Sequence, residues 1–75
     1  MPILNAAFAE KVRQVWGNPV DVVKLAISET FRFDRSFDHD SQVLDAIMIG
    51  IMAGQTASQT PEVFINAFQK YLNEG

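Results

Sequence analysis

Apolar residues recur along most of this chain at steps of three and four, the spacing that lines up one face of a helix. Leu4, Phe8, Val12 and Val15 keep that spacing, Ala7 and Trp16 widen the stripe, and Glu10, Lys11, Arg13 and Gln14 fall opposite. A first helix is therefore expected over about 3–16. Gly17 should end it, because glycine takes the left-handed conformation that follows a helix without strain. Asn18-Pro19 restarts the chain: Asn is a strong N-cap, Pro suits the first helical position, and Asp21 complements the helix dipole. The second helix should span about 19–32, with Val20, Val23, Ile27 and Phe31 as its stripe and Val22, Leu25 and Ala26 broadening it. The link is so short that the two helices should form an αα-hairpin or cross steeply.

From Phe31 to Asp40 the pattern changes to three phenylalanines (31, 33 and 37) with charges of both signs between them. This segment reads as a connector pinned to the core by its Phe side chains. A third helix is expected over about 41–54, capped by Asp40 or Ser41. Between Asp45 and Gln55 it has no polar side chain, so its apolar surface runs round the whole circumference, as in a helix buried on all sides. Three neighbours cannot easily surround one helix in so small a domain, so part of it should meet a second subunit. Gly50 and Gly54 are spaced G-x-x-x-G, which lets backbones approach closely. A mid-helix glycine costs about 1 kcal/mol relative to Ala, so Gly50 suggests a use for its small size, whereas Gly54 reads as a C-cap. Residues 54–59 read as the last connector. Thr60-Pro61-Glu62 is a strong start signal for a fourth helix over about 61–73. Phe64, Ala67, Phe68, Tyr71 and Leu72 should face inward, and Gln69, Lys70, Asn73 and Glu74 should face water.

The expected fold is thus all-α: one domain over 1–75, a compact bundle of about four short helices completed by dimerisation. Composition sharpens that picture. Seventy-five residues with 48% apolar side chains, no cysteine and a single histidine have neither disulfides nor a zinc site to staple a small core. Oligomerisation is the remaining device. Nine acids against six bases give a net charge of −3, so the long-range basic field that attracts nucleic acid is missing. The opening residues carry no basic secretion signal, and the apolar run Ala46–Ala53 is far too short to span a membrane. A cytoplasmic location is expected, with no membrane partner.

Little of the chemistry stands out. Asp34, Asp38 and Asp40, with His39 among them, are the candidate ligands for a metal ion, since alternate carboxylates can converge on Ca²⁺ or Mg²⁺. The EF-hand spacing fails: Gln42 stands at a ligand position, the glycine is absent, and Ile49 occupies the place of the bidentate Glu. A solvated connector whose acids cap the third helix explains the same residues. His39 has no motif partner for general-base work and reads as a surface histidine. Phe33, Arg35 and Phe37, with Phe31 and Arg32, have the aromatic and Arg composition of protein interfaces. Asp40-Ser41 before a helix resembles the Asp-Ser-Leu at which acyl carrier proteins bear phosphopantetheine. The likeness covers two residues and general size. The chain departs from that family at Gln42, in its apolar third helix, and in having a helix over 19–32 where the family has a long loop.

The expected function is a non-enzymatic interaction module that pairs with itself and with another protein, without a cofactor. Ile47, Ile49, Gly50, Ile51 and Met52 of the third helix should form the contact, together with Phe33, Arg35 and Phe37. The alternatives are a carrier or lipid- and acyl-binding bundle, and a helix-turn-helix nucleic-acid binder built on Gly17-Asn18-Pro19.

Overall fold

The computed structural model describes residues 4–32 and 39–74. Four helices follow one another: α1 (Ala6–Val15), α2 (Pro19–Thr30), α3 (His39–Thr56) and α4 (Pro61–Glu74), with no strand among the described residues. The all-α expectation holds. The radius of gyration, 11.4 Å, is that of a compact fold of this length, about 11 Å.

The punctuation works as its chemistry requires. The Asn5 side chain caps α1 by accepting the Ala7 N–H at 2.7 Å. Gly17 has φ +101°, the left-handed conformation that lets α1 stop and α2 start within three residues. Asn18 caps α2 by accepting the Asp21 N–H at 3.3 Å, with Pro19 in the first helical position. Pro61 opens α4.

Hydrogen bonds between helix ends fix the topology. The Asn5 N–H, at the start of α1, donates to Glu29 Oε2 near the end of α2 at 3.1 Å. Since Gly17 and Asn18 join the two helices at their other ends, α1 and α2 lie side by side as an αα-hairpin. The Tyr71 hydroxyl, late in α4, donates to the carboxylate of Asp45, early in α3. Across α1 and α4, the Leu4 N–H donates to Gln69 Oε1 at 2.9 Å, while Trp16 Nε1 donates to the Gln59 carbonyl at 2.9 Å. Each helix therefore packs antiparallel on its chain neighbours, and α1 closes the ring on α4.

The core draws on all four helices: Phe8 and Val12, Val22 and Ala26, Ile49 and Ala53, and Phe64, Phe68 and Leu72. Phe64 stacks on Phe68 with centroids 5.9 Å apart, and Phe8 and Trp16 tilt against this pair at 5.6 and 6.1 Å. Burying one such ring stabilises the fold by roughly 1.5–3 kcal/mol.

Several expectations need correction. The inward face of α2 centres on Val22, Ala26, Glu29 and Thr30; of the expected stripe, Val23 and Ile27 pack partly buried against the core, while Val20 and Phe31 do not belong to it. Val20 and Phe31 are more than half exposed. Glu29 takes the inward place because its carboxylate satisfies the Asn5 N–H and pairs with Arg32 Nε at 3.0 Å. Exposure of Phe31 removes one of the three phenylalanines meant to pin the connector. α3 already includes His39 and Asp40, so neither Asp40 nor Ser41 is its cap. Gly54 is not a C-cap either: α3 runs on to Thr56, whose buried hydroxyl donates to the Met52 carbonyl at 2.7 Å. Gln69 does not simply face water, since it receives the Leu4 N–H.

Candidate functional site

Between Asp45 and Gln55 α3 is apolar all round, and the fold uses only one side of it. Ile49 and Ala53 are buried in the core, Met52 packs against it, and Asp45 is tied to Tyr71 on the same side. The opposite side presents Val43, Leu44, Ile47, Met48 and Ile51 to solvent, with Leu44 61% and Ile47 52% exposed. At helical spacing these five residues make one continuous strip, flanked by the exposed Gly50 and Gly54. The strip amounts to roughly 400 Å², the size of the largest apolar patch on an ordinary monomer, and such patches often mark interaction sites.

The sequence assignment of contact residues therefore divides. Ile47, Gly50 and Ile51 lie on the exposed face, and Met52 lies at its buried margin. Ile49, with no exposed surface, belongs to the chain's own core and offers no contact surface. Val43, Leu44 and Met48 belong to the exposed face and were missed, because an all-apolar helix does not declare which side its own domain covers. The missing signal lay outside α3, in α2 and α4, the helices that pack against it. Phe33, Asp34, Arg35, Phe37 and Asp38 lie outside the described residues.

The glycines deepen the case. An added Cβ at Gly50 or at Gly54 would meet no atom within 4 Å. Both have ordinary helical backbone, since Gly17 is the positive-φ glycine of the described residues. Neither bareness nor backbone freedom is used inside the fold, so the close packing expected of Gly50 does not occur within the chain.

Other features offer less. Asp40 is exposed in the first turn of α3, and no group of three or more acids and histidines is placed to hold a metal among the described residues. An apolar cleft of about 190 Å³ opens between Trp16, Gly17, Pro19, Val22, Ala53 and Ala57, below the roughly 300 Å³ of typical ligand pockets. Ser41, at the carrier-like Asp-Ser, is the third residue of α3 and half-buried. The side-by-side packing of α1 and α2 departs from the steep crossing of a helix-turn-helix. A second cleft, between α1 and α2, sets Lys11 and Lys24 beside Asp21 and so has no clear preference for anions. No described helix is long and apolar enough to cross a membrane.

Electrostatics tie α1 to α4 at the bundle's rim. Arg13 Nε donates to Glu62 Oε1 at 2.8 Å, which holds the Glu62 carboxyl below its ordinary pKa and raises that of Arg13. This pair is exposed and structural. No family model matches the chain, and no curated protein and no solved structure matches it.

Proposed function

We propose that this chain is a non-enzymatic, cytoplasmic interaction module that pairs with a second copy of itself through the exposed face of α3. In that form it serves as an adaptor, regulator or small subunit of a larger assembly. The strip Val43, Leu44, Ile47, Met48 and Ile51 carries this reading. Its apolar area is about half of what one partner gives to a standard interface, and exposed polar neighbours such as Asp40 and Gln55 supply a rim. The acid-rich composition and the pairing of Arg13 and Arg32 speak against a nucleic-acid partner.

Light scattering on size-exclusion fractions at micromolar concentration tests the reading. The parent chain is expected to run as a dimer, and Ile47→Asp as a monomer with unchanged far-UV circular dichroism. A monomeric parent overturns the proposal. Ile49→Asp separates the two sides of α3: it buries a charge in the core and should unfold the chain rather than merely dissociate it.

A further inference from the structure

Along the exposed side of α3, Leu44, Ile47, Ile51 and the flanking Gly54 follow one another at steps of three, four and three. That is the seam of a heptad, the spacing at which two helices pack knobs into holes. Asp40 continues the same seam towards the start of α3. The seam is large at one end and bare at the other. Leu44 is its most exposed side chain, while Gly54 has none and opens onto empty space.

These features distinguish the two ways a second copy can lie on α3. In a parallel pair Leu44 would meet Leu44, Gly54 would meet Gly54 across a void, and the two Asp40 carboxylates would crowd together. In an antiparallel pair with its two-fold axis level with residue 49, each layer joins positions whose numbers sum to 98. Leu44 then shares a layer with Gly54 and Ile47 shares one with Ile51. Large and small alternate across the contact, as dense packing requires. Gly50 is level with the axis but stands beside the seam, where its bareness leaves the flank of the contact uncrowded. The Asp40 carboxylates stand some 27 Å apart along the axis at 1.5 Å per residue, well beyond the roughly 8 Å screening length of physiological salt.

We infer that two copies of this chain pair through α3 in antiparallel, two-fold fashion, Leu44 of each filling the space over Gly54 of the other. This rests on self-association by α3 and specifies its geometry. It gives Gly54 a use that the single chain does not.

The chain has no cysteine, so single thiols report geometry without background. Leu44→Cys and Gly54→Cys proteins, mixed and mildly oxidised, should give a disulfide-linked heterodimer, and neither should link to itself. In the antiparallel pair the two Leu44 positions are about 15 Å apart along the axis, out of reach of a disulfide, which needs Cα atoms within roughly 7 Å. Self-linking by Leu44→Cys, or no mixed disulfide from proteins that light scattering shows to be dimers, overturns the antiparallel geometry and leaves self-association standing. A monomeric parent overturns both. Size provides an independent check. Gly54→Leu should weaken association at least tenfold with helicity intact, and Leu44→Ala added to it should restore the dimer. Unchanged association of Gly54→Leu also overturns the inference.

Discussion

Replacing Gly54 by Ala should raise the stability of the isolated protomer, whereas the same replacement at Gly17 should lower it. At Gly54 the backbone is helical and the new methyl group enters open space, so the change acts through helix propensity, about 1 kcal/mol in favour of Ala. At Gly17 there is also no steric obstacle, but φ is +101°, and an L-residue in a left-handed conformation costs on the order of 1–2 kcal/mol. A small core without staples holds only about 3–5 kcal/mol in total, so both effects are large fractions of the whole. Urea unfolding followed by Trp16 fluorescence and circular dichroism measures them. With a slope of about 1 kcal/mol/M, the midpoint should move up by about 1 M for Gly54→Ala and down by about 1–2 M for Gly17→Ala. The measurement belongs at concentrations low enough that association does not add to stability. A lower midpoint for Gly54→Ala in that regime would falsify the claim that the protomer has no use for its bareness. An unchanged midpoint for Gly17→Ala would contradict the left-handed turn between α1 and α2.

Phe64→Ala removes a fully buried ring that stacks on Phe68 and touches Trp16, a loss of about 3–5 kcal/mol; circular dichroism at room temperature should show a largely unfolded chain. Tyr71→Phe deletes the hydroxyl bonded to Asp45 and should cost about 1–2 kcal/mol in a urea titration, with a slope unchanged from the parent. Glu62 has its pKa held below the ordinary 4.5 by the Arg13 hydrogen bond, so its contribution is present above that value and lost as pH falls through the folded pKa. The stability of Glu62→Gln should therefore decline less steeply below about pH 4.5 than that of the parent, and added salt should shrink the difference. Equal acid limbs in the two proteins would remove the Arg13–Glu62 pair from the account of the rim.

The start and stop signals on either side of α2 and at the start of α4 were legible because they are local. Asn18-Pro19, Gly17 and Thr60-Pro61 act on their own backbone and need no partner to be read. The faces of α1 and α4 were legible because each has polar residues on one side to contrast with apolar ones on the other. α2 and α3 lack that contrast. In α2, Val20, Val22, Val23, Leu25, Ala26 and Ile27 surround most of the helix, so spacing alone does not choose a side. The choice falls to Glu29, a polar residue whose inward position depends on the Asn5 N–H from another helix. Gly54 shows the same limit: whether a glycine ends a helix or rides within it depends on what the next turn buries, here Thr56. The candidate surface was legible as an excess of apolar residues on the third helix. Which half of that excess faces outward is a property of the assembled bundle.

The closed ring of helices has a consequence for how the chain reaches its fold. Three of its four seams join helices adjacent along the chain, and such local contacts form quickly once a short loop closes. The seam between α1 and α4 is different, because Leu4 must find Gln69 across 65 positions of chain. Loop-closure entropy grows only with the logarithm of that span, so the step is affordable, but contacts elsewhere must make up for it first. The three hairpins of chain-adjacent helices are then the natural early structure, with the seam between α1 and α4 closing last over Phe64 and Phe68. Changes at Phe8 or Trp16 should accordingly speed unfolding more than they slow folding. Two chains caught before that last closure would each offer an uncovered groove to the other's α1, and exchange of that helix is the misassembly to which this topology is most open.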